Sequence, residues 1–496
     1  MDSANDWTET VLHLHIFHLL QTVSHHSAHL DVGVPARGWH GEAYRGHIFW
    51  DELFIFPYLN FQRPWLAEAL LQYRYARLGT ARAAARAEGF EGAMFPWQSG
   101  SNGREETQRL HLNPKSGRWL PDRSHLQRHV NIAIAYNVWQ HYMITGSIRF
   151  LRFTGAELLI EIARFWSSIA TYNPARDRYE MNGVMGPDEY HEAYPHSEEA
   201  GLRNNTYTNV MAVWVLQTAL EASQELPPHY RQELVEELMI GDEELERWRD
   251  ISQKMTVVFH ASGVLSQFEG YEQSEEFDWD GYRDKYGDIQ RLDRVLEAEG
   301  DSTNRYKVSK QPDVLMLLYL LSRGELCGLL TNLGYEVSEE QLAQTVDYYL
   351  ARTSHGSTLS SVVTAWVLAR YDRAEAWQCL QRALRSDIAD VQGGTTAEGI
   401  HLGAMAGTVD LVLRCLTGMR ARGQVLRFDP AIPPEIKQLQ FSVHYRSHRV
   451  ELAFSEDRIE VTSRPGTAAP ITVLVRDDTV DLHPGERHTF SLDHQS

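Results

Sequence analysis

Gly183-Val184-Met185-Gly186-Pro187-Asp188-Glu189-Tyr190-His191-Glu192 places three acids and a histidine in the five positions that follow a Gly-Pro turn. Proline lacks an N–H and restricts the residue before it, so the run cannot prolong a helix and reads as a loop at the end of an element. Helical patterns flank it at 149–171 and 207–225, and others lie at 64–87, 129–145, 229–239, 243–259, 312–322, 338–351, 358–370, 373–386 and 401–420. Strand-like alternation is scarce before residue 425. About a dozen helices, with glycine- and aromatic-rich loops between alternate pairs, predict a toroid of paired helices with a site at one mouth. Acids on a loop of such a scaffold point to chemistry, against the plainer reading of a solvated acidic turn.

Composition bounds the classes. The 496 residues, 43% of them hydrophobic, suffice for a substantial core. A formal net charge of −20 argues against nucleic acid or an anionic membrane as the main partner, because both would be repelled. Cys327, Cys379 and Cys415 are too few and too widely spaced for a disulfide framework or a cysteine zinc site, which fits a reducing compartment. No stretch reaches the length of a membrane span and the first thirty residues lack a signal-peptide pattern, so a cytoplasmic location is expected. A helical pattern at 8–30 carries His13, His15, His18, His25, His26 and His29 without acids at ligand spacing; these read as a helix surface, and no metal is expected.

Four further stretches bear on function. Ala36 to Glu52 interleaves glycine with aromatic and charged residues like the wall of a pocket, and within it Trp50 offers an apolar platform for a sugar face beside the hydrogen-bonding carboxylate of Asp51. Lys310 and Gln311 place ammonium and amide donors at a helix start, suited to sugar hydroxyls. Thr353 to Ser360 sets His355, Gly356, Ser357 and Thr358 just before a helix, where free amides and the positive dipole end favour an anion, although a simple Ser/Thr cap explains the same residues. Gly393-Gly394-Thr395-Thr396-Ala397-Glu398-Gly399-Ile400-His401 leads into a helix rich in Gly403, Ala404, Ala406 and Gly407. After about residue 425 the pattern turns to short alternating or β-branched runs, predicting a small β-domain with no catalytic feature.

Taken together, Gly41 to Asp51, Gly186 to Glu192, Asn204-Asn205 with Tyr207-Thr208-Asn209, Lys310 to Asp313, His355 to Ser357 with Leu359-Ser360, and Thr396 to His401 resemble glycoside hydrolase family 65 in order along nearly the whole chain. That family comprises mainly inverting α-glucoside phosphorylases for maltose, trehalose, kojibiose, nigerose and related sugars. The resemblance implies a mainly α fold, an (α/α)6 barrel with a small C-terminal β-sheet domain. The expected divisions are a linker helix at 1–35, the catalytic barrel at 36–425 and the β-domain at 426–496, without the family's usual N-terminal β-sandwich. It implies Glu189 as general acid, Trp50, Asp51, Lys310 and Gln311 as glucose contacts, and His355, Gly356, Ser357 and Thr358 as the phosphate site.

The implied reaction is phosphorolysis of an α-linked glucoside to β-glucose 1-phosphate and a released sugar, with no cofactor beyond inorganic phosphate as co-substrate. The acid must be protonated, so Asp188, Glu192 or burial is expected to raise its pKa, and Asp188 is the alternative acid. The expected partners are the glucoside and phosphate, and a homodimer is compatible with the family. Two other readings stay open: an inverting hydrolase with Glu398 as base, and a catalytically silent sugar-binding protein.

Overall fold

The computed structural model describes residues 2–3, 6–195, 197–391 and 395–492, and these form two compact units. Gly393 and Gly394 of the glycine-rich helix entry lie outside the described residues. The first unit is Met1–Tyr75, Tyr136–Gly155 and Leu368–Ser496; the second is Ala76–Ala135 and Ala156–Val367.

In the first unit the helix Leu402–Asp410 packs against Glu52–Gln62, Asp6–Thr22 and Arg373–Leu384. Its small residues Gly403, Ala404, Ala406 and Gly407 are what allow helices to approach on several sides. Glu52–Gln62 escaped the sequence reading because it is buried from Glu52 through Phe61 and carries Pro57 inside, so no polar face marks its period. Its first acid is held by Arg74, whose Nε and Nη2 lie 3.0 and 2.9 Å from Glu52 Oε2, with neither side chain more than 3% exposed. The N-terminal histidines are not all on a surface: His15 is fully buried, its Nδ1 2.6 Å from Thr408 Oγ1, and burial pushes its pKa down to about 4.

The strands of this unit form two sheets. One runs in the order Asp2–Ser3, Ile436–Tyr445, His448–Phe454, Arg458–Ser463, Arg487–Ser491, antiparallel throughout. The other runs Asp478–Leu482, Ile471–Val475, Val425–Phe428, Arg420–Arg422, with the middle pair parallel. Alternate inward residues such as Val443, Val450, Leu452, Ile459 and Val461 are buried, as a two-residue period requires.

In the second unit Thr206–Glu225 is the central helix, touching Ala156–Ile169, Asp242–Lys254, Asp313–Leu320 and Arg323–Asn332. The pattern expected at 243–259 stops at Lys254 because Met255 leaves the helix to bridge Tyr179. Likewise the single run expected at 64–87 breaks between Ala76 and Leu78, and the run at 149–171 begins with a π-turn at Leu151–Gly155. Leu78–Ala87 is fastened to Ala156–Ile169 by charge: Arg82 donates to Glu157 (2.8 Å) and Glu161 (2.9 Å), and Arg164 donates to Glu161 (2.8 Å).

Burial alone would raise the Glu161 pKa, but Arg82 and Arg164 together outweigh it and hold the carboxyl below its ordinary range. A depressed folded-state value contributes stability above the unfolded pKa of about 4.3 that is lost as pH falls through the folded value. Denaturation midpoints measured from about pH 7 down to about pH 3 should therefore fall less steeply in Glu161→Gln than in wild type. Parallel curves would show that this ion cluster does not contribute to acid lability.

Among the described residues no single helix is long and apolar enough to cross a membrane, and Cys327, Cys379 and Cys415 are free thiols.

Candidate active site

The acidic loop leaves the short strand Asn182–Val184, which pairs with Leu202–Arg203, and is pinned from beneath by buried groups. Asp313 Oδ1 accepts from the Asp188 amide at 2.6 Å, and its Oδ2 accepts from Asn205 Nδ2 at 2.6 Å. Asn205 in turn caps Thr206–Glu225 by accepting from the Thr208 amide at 3.0 Å, so the central helix and the loop share one anchor. Gly186 is required at the contact, since a Cβ there would come within 1.8 Å of Asp313 Oδ2. Burial, then the adjacent Asp188, pushes the Asp313 pKa well above the carboxylate range.

The loop's acids separate by environment. Asp188 is 1% exposed, and its carboxylate accepts from the Tyr190 amide (3.1 Å), His191 Nδ1 (2.7 Å) and Gln267 Nε2 (2.6 Å). The Glu192 amide donates to Asn304 Oδ1 at 3.1 Å, and burial raises the pKa of its side chain. Glu189 alone projects from a left-handed backbone, φ 61°, with its side chain one-third exposed. Its hydrogen-bond partner is Lys310, whose ammonium donates to Glu189 Oε2 at 2.6 Å.

Two chain segments bring the anion loop to the same place. Ser309 and Thr353 bridge in parallel, with the Ser309 amide donating to Arg352 O and the Ser354 amide to Ser309 O, each at 2.9 Å, so Lys310 and His355 follow side by side. A Cβ on Gly356 would lie 3.1 Å from both Lys310 Cγ and Tyr190 Oη and 2.3 Å from Gln290 O, so only glycine lets the loop rest there. Tyr190 Oη ties the layers together, donating to Gln290 O at 2.9 Å and lying 2.8 Å from Ser354 Oγ. His355 has φ 55° and places Nδ1 2.9 Å from Ser360 Oγ, while Ser357 Oγ accepts from the Leu359 amide at 3.3 Å at the start of Thr358–Leu368. The helix cap and the helix-terminus amides thus coexist in one loop. Gln311 is 2% exposed; its Nε2 donates to Pro187 O at 3.3 Å, while its Oε1 is buried without a protein donor.

The remaining predicted residues meet in the first unit. Trp50 is only 3% exposed and edge-on to Phe54. Asp51 precedes the helix Glu52–Gln62 and lies 3.3 Å from His401 Nε2. Segment 36–41 runs against 398–402: the Gly38 amide donates to Ile400 O at 2.8 Å, and a Cβ on Gly41 would strike the Glu398 backbone at 2.2 Å. Glu398 is half-exposed and paired with Arg37 at 3.5 Å.

Sequence reasoning did not single out Gln267, and it assigned no role to Asn205, His191 or Asp313, although three of these stand in quoted motifs. Arg291 was also missed; it pairs with Asp293 at 2.8 Å, and its pKa is raised although burial alone would lower it, since Asp293 first, then Tyr190 and Glu189, act on it.

The family model described as the glycosyl hydrolase family 65 central catalytic domain matches residues 13–410, and that of the family's C-terminal domain matches 419–482. The chain belongs to glycosyl hydrolase family 65. Among family 65 relatives, an uncharacterized glycosyl hydrolase of Mycobacterium tuberculosis is 54% identical over 97% of this chain and 36% of its own length. Trehalose 6-phosphate phosphorylase of Lactococcus lactis is 39% identical over 99% of this chain and 62% of its own length. The chain therefore spans between about a third and three-fifths of these relatives. A solved structure assigned as a kojibiose phosphorylase from the human microbiome superposes with TM-score 0.81 at 22% identity, covering 100% of this chain and 67% of that one. The fold is accordingly the mainly α, (α/α)6-barrel class of family 65 with a small C-terminal β-sheet domain.

Proposed function

We propose that this family 65 chain catalyses inverting phosphorolysis of an α-linked glucoside, giving β-glucose 1-phosphate and the released sugar. The observation that carries the reading is the juxtaposition of Glu189, Lys310 and the Gly356 loop within one cluster of the second unit. An acid next to an anion-suited helix start is what such a reaction needs, since phosphate takes the place of a base-activated water. A phosphate oxygen attacks the anomeric carbon, the glycosidic C–O bond breaks, and the Glu189 proton passes to the departing oxygen. Lys310 holds the acid in place before substrate arrives, and an incoming phosphate competes for the same ammonium.

Asp188 is a poor alternative acid because its carboxylate is buried and already saturated with donors. Gln311, with a buried carbonyl oxygen lacking a protein donor, is assigned to a glucose hydroxyl, and Lys310 to a further glucose contact. The relatives named for trehalose 6-phosphate and kojibiose support a disaccharide as the glucoside. His355, Gly356, Ser357 and Thr358 are assigned to phosphate.

A hydrolase using Glu398 as base is less well supported, since that carboxylate is occupied by Arg37. Release of sugar from a panel of α-linked glucose disaccharides, including phosphorylated ones, should depend on added inorganic phosphate. Undiminished release in phosphate-free buffer would replace the phosphorylase reading with the hydrolase. Absence of turnover together with measurable glucoside binding would leave only a sugar-binding protein.

A further inference from the structure

The join between the helices Glu52–Gln62 and Pro64–Ala76 faces the outer sheet across a cleft of about 560 Å³. Gln62, Arg63 and Trp65 line one side, and Ser442, His444 and Arg449 the other. Gln62 Nε2 donates to Ser442 O at 2.7 Å, fixing the floor. His444 and Arg449 are directly opposed in the antiparallel ladder, so both side chains stand on the face that carries Ser442. Burial lowers the His444 pKa, and the guanidinium charges of Arg449 and Arg63 lower it further, which places both cations within electrostatic reach of one ring.

Neither cation is neutralised. Among the described residues Arg63 donates only to the neighbouring carbonyl of Gln62, and Arg449 has no ion pair. The nearest acid on the same face, Glu451, is taken by Arg464 at 2.6 Å. A chain with net charge −20 has carboxylates to spare, yet none lines this cleft. Two guanidiniums facing one space repel one another unless an anion occupies it, and guanidinium is the group best matched to phosphate oxygens. Trp65, 49% exposed at the rim, adds an apolar face of the kind on which a sugar ring stacks. The volume exceeds what an inorganic anion fills.

We propose that this cleft, which contains no residue of the site described above, binds a phosphorylated monosaccharide, with the phosphate held by Arg63 and Arg449 and the ring lying on Trp65. Calorimetric titration of the whole protein with glucose 6-phosphate, inorganic phosphate and glucose tests it. The double variant Arg63→Ala/Arg449→Ala should bind one equivalent of glucose 6-phosphate fewer than wild type, with kcat and KM for the catalysed reaction unchanged. Trp65→Ala should weaken glucose 6-phosphate by about tenfold at this site and leave inorganic phosphate as it was.

All three side chains are exposed or at a rim, so circular dichroism and the denaturation midpoint should match wild type. An equal number of equivalents in wild type and double variant overturns the proposal, as does glucose 6-phosphate binding no more tightly than inorganic phosphate. The difference in equivalents is read whether or not the Glu189 cluster proves to be a phosphorylase, so failure of one reading is distinguishable from failure of the other.

Discussion

Glu189→Gln should lower turnover by about 10²–10⁴-fold while leaving glucoside affinity and the denaturation midpoint near wild type. The amide keeps the shape of the carboxyl and can still accept from Lys310, now 2.6 Å from Oε2, but it has no proton to give. A purely structural role for Glu189 would show as a lowered midpoint with proportionate loss on every substrate. A proton-donor role shows as selectivity by leaving group. With α-glucosyl fluoride, whose fluoride departs with little need of a proton, the variant should lose far less than with a disaccharide. Equal losses on both substrates, or wild-type turnover on the disaccharide, would remove Glu189 from the reaction.

Arg74→Ala carries the largest expected effect on stability, a loss of about 3–5 kcal/mol, because it leaves Glu52 buried without its partner. Glu52 is fully enclosed; burial raises its pKa, and Arg74 supplies the main opposing pull. Once the guanidinium is gone the folded chain retains Glu52 only in its protonated form. The raised folded-state value means that the deficit is small below the unfolded pKa of about 4.3 and grows as pH rises above it. Chemical denaturation of Arg74→Ala across that range should show the widening gap from wild type. Adding Glu52→Gln should narrow the gap at neutral pH, and a double variant no more stable than Arg74→Ala would refute the buried-charge explanation. Asp51 stands directly before the helix that Glu52 opens, so the same variant is expected to disturb Asp51 as well.

What could be read in advance follows from how local each signal is. The long helices at 129–145, 207–225 and 358–370 kept their boundaries to within about two residues, because each is a run uninterrupted by glycine or proline. Glu52–Gln62 has no such signature: enclosure on all sides erases the polar face, and Pro57 imitates a breaker. The same division runs through the candidate site. Glu189, Lys310, Gln311 and the His355 loop stand in compact motifs, so they could be singled out as candidates from the sequence, and the structure brings these residues into one cluster. Their support could not. Asp188 is held by His191, Gln267 and, through its amide, Asp313, groups drawn from three separate segments, and only folding shows that they share one network. Sequence adjacency to Asp188 and Glu192 likewise carries no information about partners: the group that Glu189 meets, Lys310, comes from a distant segment.

The left-handed turn at Glu189 also limits how the protein can change. Glu189 and His355 both occupy backbone conformations that side chains other than those of Asn and Asp disfavour, and each would be relieved by glycine. A population selected only for resistance to heat would be expected to accumulate glycine at these two positions, gaining robustness while erasing the groups assigned to the proposed reaction. On the proposed roles, the residues most improvable as structure are then those least replaceable as chemistry, and any effort to harden this protein should hold 189 and 355 fixed before the search begins.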